Sequence, residues 1–152
     1  GDFLANGYQD IDQELFVRYA QVATFFPMMQ FSLAPWKVLS TENLQIVKNC
    51  CKIHDEISEY IKELVVKASK DCTPIMRSMQ FQYPNGNYSL IKDQFMLGDK
   101  YLVAPVVTKN TFERKVVLPE GNWIDDEGNT YQGKQTITIK VPLERLPYFK
   151  KI

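Results

Sequence analysis

The chain contains 152 residues, of which 45% are apolar, enough for a packed core in one or two domains. Its 18 basic and 18 acidic side chains balance, so no long-range field favours nucleic acid or anionic lipid, and we expect no nucleic-acid partner. No apolar run reaches the roughly eighteen residues of a membrane span, and no signal peptide can be read at the first residue.

The first predicted element is an amphipathic helix from about Asp10 to Phe25. Asp10 or Asp12 can cap its N-terminus, and Pro27 stops it. Its apolar residues recur at steps of three and four, which predicts a core-facing stripe rather than a cofactor site. The residues of this stripe are Ile11, Leu15, Tyr19, Val22 and Phe26.

An irregular stretch, Pro27 to Leu39, follows this helix and carries two prolines, two methionines, Phe31 and Trp36. It is too apolar for a solvated loop. We therefore expect it to be covered, either by other parts of this chain or by a domain outside it.

A second, longer helix is predicted from about Thr41 to Ala68, with Ser40 or Thr41 as its cap. Its charged residues describe a solvated face and not a catalytic pair of carboxylates. The neighbours Cys50 and Cys51 point about 100° apart on a helix, which suits neither a shared metal nor a mutual disulfide. We interpret the three cysteines as buried apolar side chains and the only histidine as a solvated helix residue. No metal site and no cofactor are predicted.

Beyond residue 73 the apolar period changes to two, which predicts antiparallel strands. The first is placed at Ile75 to Tyr83 and ends in a Pro-Asn-Gly-Asn turn. Further strands are predicted at Arg114 to Leu118, Asn122 to Asp125, Thr130 to Tyr131 and Thr136 to Val141. The last of these alternates apolar with polar residues, so one of its faces should be wet.

Between these strands lies a chain reversal at Gly98-Asp99. Phe95 to Leu97 are interpreted as a helical turn that leads into it. The apolar run Tyr101 to Val107 then predicts a buried strand, in which Pro105 marks the end of sheet pairing because proline has no N–H to donate.

The residues Gln94 to Val106, QFMLGDKYLVAPV, resemble the Q-F-M-L-G-D-x-L-L-V-A-P-V segment of glycoside hydrolase family 31. Other segments of this chain are similar to that family's motifs in the family's own order. Upstream these are Gly1-Asp2 (D-I-G-G), Glu14 to Tyr19 (E-L-Y-x-R-W), Pro27 to Trp36 (P-x-x-R-x-H with P-W) and Thr73 to Arg77 (G-x-P-V-M-R-P). Downstream these are Val116 to Trp123 (V-Y-L-P-x-G-x-W) and Leu146 to Phe149 (L-P-V-F).

The resemblance implies an α/β fold followed by an all-β fold. Residues 1–93 would form the last helices and the last strand of a (β/α)8 barrel. Residues 94–152 would form an antiparallel β-sandwich domain.

The resemblance also implies a retaining exo-α-glycosidase, in which two carboxylates about 5 to 5.5 Å apart act as nucleophile and as acid/base. The family's nucleophile motif, W-x-D-x-N-E, and its acid/base motif, W-x-G-D, precede D-I-G-G, and neither string occurs here. We therefore expect the whole protein to hydrolyse an α-glycoside. No catalytic residue is expected in this chain, so activity would require the rest of the barrel. The alternative is a non-catalytic relative that serves as an interaction scaffold. A free-standing carbohydrate-binding β module fits poorly, because two long helices precede the strands.

One substrate-binding position can be transferred from the family. In many members the loop that matches residues 27–32 carries Arg and His, and the His binds the sugar in the cleavage subsite. Here Gln30 stands at the Arg position and Ser32 at the His position, so we predict that these two side chains bind the sugar. The neutral pair disfavours an ordinary α-glucosidase, and the string is similar to the myogenesis-regulating glycosidase branch, which acts as an α-galactosidase. The alternative is that Gln30 and Ser32 only satisfy the loop backbone.

Three further features of the sequence are an aspartate in a turn, two tryptophans and a glycosylation sequon. Asp99 is predicted to make an Asx turn. Trp36 and Trp123 have faces that suit sugar rings, but burial is the favoured interpretation. Asn87-Tyr88-Ser89 satisfies the N-glycosylation sequon, a short pattern that carries weight only in a secretory protein, and the family resemblance suggests a secretory (endoplasmic reticulum or lysosome) or extracellular location.

Overall fold

The computed structural model describes residues 11–152, and antiparallel strands dominate the part beyond residue 75. A six-stranded sheet has the order β1-β2-β3-β8-β5-β6, and β4 pairs with β7 in a separate sheet. The strands are β1 (Met76–Ser78), β2 (Phe95–Leu97), β3 (Tyr101–Val103), β4 (Glu113–Leu118), β5 (Asn122–Asp125), β6 (Thr130–Gln132), β7 (Gln135–Lys140) and β8 (Tyr148–Lys151). The helices are α1 (Gln13–Ala23), α2 (Pro35–Val38), α3 (Thr41–Glu56), α4 (Ser58–Asp71) and α5 (Met79–Gln82), with a 3₁₀ turn at Pro84–Gly86.

The two sheets share one apolar core. Val116 and Ile139 from the smaller sheet pack with Trp123 and Phe149 from the larger one, and all four are buried. The indole of Trp123 is satisfied because its Nε1 donates to the carbonyl of Pro119 at 3.0 Å. This is the predicted β-sandwich, and burial was the correct interpretation of Trp123.

The opposite face of the six-stranded sheet packs against α4. Successive residues of a strand point to opposite faces, so on β2 Met96 enters the sandwich core while Leu97 meets the helix side. Ile61 and Leu64 of α4 lie in this second core. The large sheet is therefore the middle of three layers.

A third core joins α1 to α3. Phe16 and Ala20 of α1 pack with Val47 of α3 and with Leu33 from the loop between the helices. Asp12 caps α1 as predicted, accepting a hydrogen bond from the Leu15 N–H at 3.1 Å. The other candidate cap, Asp10, and the motif match at Gly1-Asp2 lie outside the described residues.

The predicted core face of α1 is wrong at two of its five positions, since Ile11, Val22 and Phe26 are half-buried. Leu15 is 55% exposed and Tyr19 is 46% exposed, whereas Phe16 and Ala20 are buried. Both sets recur at helical spacing and differ by one residue, so periodicity alone could not choose between them. The choice is made by α3, which packs on the side that carries Phe16.

The single long helix predicted after Ser40 is two helices. Ser40 caps α3 as predicted, accepting from the Asn43 N–H at 3.2 Å. The helix breaks at Ile57, whose backbone has φ −93° and ψ 0°. Val47 packs on α1 while Ile61 packs on the sheet, and the break lets the two helices serve these different cores.

Two secondary-structure assignments near the start of the sheet are also wrong. The predicted strand Ile75 to Tyr83 is short, because the Ser78 side chain accepts a hydrogen bond from the Phe81 N–H at 3.1 Å and starts α5. The predicted helical turn Phe95–Leu97 is strand β2, which forms a hairpin with β3 through Gly98 at φ +57°.

The strand predictions for β4 to β7 are confirmed, whereas the buried strand predicted from Tyr101 to Val107 is too long, since β3 ends at Val103 and Val107 is 65% exposed. β4 to β7 lie where they were expected, and on β7 Ile139 is buried while Thr138 and Lys140 are exposed. Sheet pairing of β3 ends at Val103, two residues before Pro105. Strand β8 was not predicted. The boundary between residues 93 and 94 stays a prediction, and β1 and β2 pair across it.

The hydroxyl of Tyr60 on α4 holds the β2-β3 turn. It donates to the Asp99 carboxylate at 2.7 Å and accepts from the backbone N–H groups of Asp99 and Lys100 at 3.1 and 3.2 Å. The Asx turn predicted for Asp99 is therefore wrong, since its carboxylate reaches across to α4. The hydrogen bond from Tyr60 holds the pKa of Asp99 below its ordinary value.

We expect Tyr60→Phe to destabilise this turn by about 1–2 kcal/mol, because it removes these hydrogen bonds. A depressed carboxyl pKa contributes stability that is complete above the ordinary value of about 3.9 and is lost as the pH falls through the lowered pKa of the folded state. The effect should therefore shrink in acid. Hydrogen exchange at the Gly98 amide, which donates to the Ile75 carbonyl, measures the opening. Tyr88→Phe is the control, because its hydroxyl has no hydrogen bond within residues 11–152; equal effects of both variants would contradict the prediction.

Candidate functional site

A pocket of about 200 Å³ lies between α1 and the loop that follows it. It brings together the two predicted substrate-binding residues, Gln30 and Ser32, which stand on one rim. The apolar wall is supplied by Phe16, Tyr19, Ala20, Ala23, Phe31 and Leu33. A polar rim over an apolar wall is the usual composition of a small-molecule site.

The side chains of Gln30 and Ser32 are exposed and make no hydrogen bond to any of residues 11–152. Between them, the Phe31 ring stacks parallel to Phe16 with the ring centroids 6.2 Å apart. This contact anchors the middle of the loop and leaves the polar side chains on either side available to a ligand. Their proposed contact with sugar stays a prediction.

Both ends of the loop are fixed by the helices. At its start, Phe25 is fully buried, and the Thr24 carbonyl lies 2.8 Å from Nδ1 of His54 on α3. At its end, Gln13 of α1 donates to the Val38 carbonyl at 2.6 Å and accepts from the Ser40 N–H at 3.0 Å. The half-buried His54 thus contacts the loop. Its interpretation from the sequence as a solvated helix residue is wrong.

Arg18 holds α1 against the sandwich. Its buried guanidinium donates to the carbonyls of Val141 at 2.9 Å and of Pro142 and Arg145 at 3.3 Å, while Glu14 lies 4.0 Å away. Burial lowers the pKa of Arg18 from its ordinary value, although the side chain stays charged. These contacts give Arg18 a structural role, and they fix the helix that forms the wall of the pocket.

A second pocket, of about 400 Å³, lies on the other side of Tyr19 and is lined by Leu15 and Val22 of α1 and by residues 106–109. It contains two carboxylates, but both are engaged. Asp12 forms an ion pair with Lys109, which lowers its pKa, and Glu14 accepts from the Asn110 N–H at 3.0 Å. A general acid needs a raised pKa, so Asp12 does not have the properties of a glycosidase acid.

A cluster of charges that the sequence did not indicate lies at the base of β5. Arg145 contacts Asp125 at 3.2 Å, Asp126 at 2.9 Å and Glu127 at 3.2 Å. Burial raises the pKa of Asp126 despite this pairing. For Asp125, burial acts in the same direction, but hydrogen bonds from Asn129, Tyr131 and the Glu127 backbone outweigh it and lower the pKa. Arg145 offsets only part of the negative charge of the three carboxylates, and hydrogen bonds stabilise the buried Asp125 carboxylate further. These contacts lie in the sandwich and give the cluster a structural role.

Trp36 and two of the three cysteines are more exposed than the sequence predicts. Trp36 is 71% exposed and no part of residues 11–152 covers it, so its predicted burial would need a cover from outside these residues. Cys50 is buried as expected, whereas Cys51 and Cys72 are exposed.

The described portion of the chain contains no group of three or more His, Cys, Asp or Glu able to hold a metal ion. It also contains no helix long and apolar enough to cross a membrane.

A profile of the glycosyl hydrolase family 31 C-terminal domain matches residues 72–151. The SITS-binding protein of Tetronarce californica is 33% identical over 93% of this chain and 19% of that protein. The myogenesis-regulating glycosidase of Mus musculus is 31% identical over 91% of this chain and 20% of that protein. A variant of the family 31 dextranase of Flavobacterium johnsoniae, complexed with isomaltotriose, superposes with a TM-score of 0.84 at 33% identity, over 91% of this chain and 18% of that one.

This chain spans about a fifth of the length of the curated relatives it matches. The profile match covers more than half of its residues. The matched segment contains the strands of the β-sandwich, which pack into two of the three apolar cores. The chain therefore belongs to glycoside hydrolase family 31.

Proposed function

We propose that this chain is the C-terminal part of a retaining exo-α-glycosidase whose catalytic carboxylates lie upstream of it. Residues 1–93 would complete a (β/α)8 barrel and residues 94–152 would form the sandwich domain, with β1 of the first part pairing with β2 of the second. The proposal is supported by family membership and by relatives about five times longer than this chain, several of which are named for glycosidase activity. Asp12 and Glu14, which share a pocket, are both bound to other groups and offer no substitute for the missing carboxylates.

We place the cleavage-subsite sugar in the pocket beside Gln30 and Ser32. The observation that carries this is that both side chains line one pocket, on a loop fixed at both ends, without a hydrogen-bond partner in residues 11–152. Both are neutral where the family carries Arg and His, so we propose an α-galactoside or a related α-glycoside as the substrate. A secretory or extracellular location, suggested by the family, is part of the same proposal.

We expect Ser32→Ala in the complete enzyme to lower kcat/KM by about threefold to tenfold, because a lost neutral hydrogen bond costs roughly 0.5–1.5 kcal/mol. Restoring the family pattern with Gln30→Arg plus Ser32→His should cost the native substrate more, since two larger groups compete for the same volume. Steady-state kinetics on nitrophenyl α-galactoside and α-glucoside measures both effects. The matched control is Ser69→Ala on the exposed face of α4. If both loop variants keep wild-type kinetics with folding intact by circular dichroism, the two residues only support the loop.

The rest of the barrel is the partner that this proposal requires. Leu15, Trp36 and Met28 expose large apolar side chains along α1 and its loop, and β1 lies at the edge of the large sheet. Surface of this kind is normally covered in the native protein.

We therefore expect the isolated chain to be poorly stable and prone to self-association. Analytical ultracentrifugation should show species larger than the monomer, and dye-binding assays should report exposed apolar surface. Trp36→Gln is expected to reduce the association, whereas Lys37→Gln, next to it on α2, should not. A sharp, reversible thermal transition of a monomer, independent of concentration, would argue against this prediction.

A non-catalytic scaffold is the second candidate function. It is favoured by one observation, that the relative with 33% identity carries the name of a binding protein and not of an enzyme. The two functions differ in the upstream sequence. W-x-D-x-N-E and W-x-G-D in the parent open reading frame would favour the enzyme, and their loss would favour the scaffold.

A further inference from the structure

The turn that leads from α5 to β2 carries the only Asn-X-Ser/Thr sequence of the chain, Asn87-Tyr88-Ser89. It belongs to neither the pocket of Gln30 and Ser32 nor any strand or helix. Such a sequon becomes a glycan acceptor where it lies on an accessible surface turn.

The backbone presents the acceptor outward. Asn87 follows the 3₁₀ turn Pro84–Gly86 and has the left-handed conformation φ +56°, ψ +40°, which asparagine tolerates better than most residues. Asn87 and Ser89 are both exposed, and neither side chain has a hydrogen-bond partner within the described range 11–152. The two groups that a glycosyl-transferring enzyme must contact are therefore free.

The middle residue anchors the turn. The Tyr88 ring stands edge-on to Tyr83 with the centroids 6.2 Å apart, and both rings pack against the sandwich core. Gly86 provides the space, because a Cβ at that position would lie 2.1 Å from the Tyr88 ring. The Tyr88 carbonyl also accepts from the Ile91 N–H at 3.0 Å. Inward packing of Tyr88 fixes the outward direction of Asn87 and Ser89 on either side of it.

The next residue adds an independent observation. Leu90 is 88% exposed, an apolar side chain at the tip of the same turn. A carbohydrate on Asn87 would shield this side chain from contact with other proteins. The sequon packs on the sandwich core, whereas the candidate sugar pocket is built on the α1-α3 core, so a glycan here leaves that pocket open.

We propose that Asn87 is an N-linked glycan acceptor, modified when the protein enters the secretory lumen, and this rests on the secretory location proposed above. In the transfer, the Asn87 side-chain nitrogen bonds to the anomeric carbon of N-acetylglucosamine at the end of a polyprenyl-diphosphate-linked oligosaccharide. The bond from that carbon to the diphosphate oxygen breaks, the diphosphate leaves with the electron pair, and the amide nitrogen loses one proton.

The test uses the full-length parent protein in a eukaryotic host, once with its own N-terminus and once with a cleavable secretory signal. Enzymatic removal of N-glycans in heavy-oxygen water converts a modified asparagine to labelled aspartate, which peptide mass spectrometry locates. We expect the label at residue 87 and a faster-migrating protein after deglycosylation. Asn87→Gln and Ser89→Ala should each abolish the label, whereas Ser89→Thr, which keeps a sequon, should retain it.

Asn110→Gln is the matched control, because Asn110 is also exposed and has a left-handed backbone, at φ +57°. It does not begin a sequon, since Phe112 stands at the third position. It should leave the label unchanged. Residue 87 found unlabelled in folded, signal-directed protein overturns the proposal. Labelling only when the secretory signal is added supports the acceptor site and overturns the proposed location, so the two failures are distinguishable.

Discussion

The 152-residue chain, purified alone, is expected to release no nitrophenol from nitrophenyl α-galactoside or α-glucoside. Retaining hydrolysis needs a nucleophile and an acid/base carboxylate about 5 to 5.5 Å apart on the two sides of the glycosidic bond. Gln30 and Ser32 offer only neutral hydrogen bonds, which can help to stabilise a transition state but cannot replace the two catalytic carboxylates. We therefore expect the isolated chain to have no hydrolytic activity at all, rather than reduced activity.

The comparison that gives this result meaning is the same assay with the full-length parent protein. A heat-treated sample of the chain sets the background. Turnover by the purified chain above that background, retained after a second chromatography step to remove host glycosidases, would falsify the assignment of both carboxylates to the upstream part.

Arg145→Ala should produce a large loss of stability in the sandwich. The Arg145 side chain is 9% exposed, and the Asp125 side chain that it contacts is fully buried. Removal of one partner of a buried ion pair leaves an uncompensated charge and costs about 3–5 kcal/mol. The same change also removes the donor to the Lys140 carbonyl at 2.8 Å. Asp126, whose pKa burial already raises, then loses the cation that opposes the increase.

Hydrogen exchange at the Asp125 amide, which donates to the Asn129 carbonyl, measures the opening of this region without requiring a stable isolated chain. We expect exchange to become more than about a hundredfold faster. Lys62→Ala is the control, because Lys62 is 68% exposed and its pair with Glu59 should contribute less than about 1 kcal/mol. Similar, small effects of the two substitutions would show that Arg145 contributes no more than a surface charge.

The sandwich was more predictable from the sequence than the helices, for a physical reason. On β7, alternation of Ile139 with Thr138 and Lys140 reports one wet face and one buried face, and a shift of one residue would reverse both. On α1, two apolar stripes one residue apart are both plausible, and only the position of α3 decides between them. The breaks at Ile57 and Ser78 follow the same logic, since tertiary packing and a side-chain cap override the local period.

The candidate site was predictable only through family resemblance. Nothing in the spacing of Gln30 and Ser32 identifies a sugar site, because neutral side chains in a loop have no distinctive pattern. The three carboxylates around Arg145 lie in consecutive positions, which resembles a solvated turn. Their interaction with a residue in the segment after β7 depends on chain reversal, which the sequence does not report.

The strand order gives β8 a particular place in the synthesis of this domain. Tyr148–Lys151 lies between β3 and β5, so β1-β2-β3 on one side and β5-β6 on the other have no shared hydrogen bonds until it arrives. While the ribosome is still upstream of residue 148, the three-stranded unit β1-β2-β3 and the hairpin β5-β6 each expose an additional open strand edge, the kind of edge that pairs with other chains. Four residues therefore join the two halves of the sheet, and a translation pause or frameshift just before them would leave β3 and β5 as two additional aggregation-prone edges.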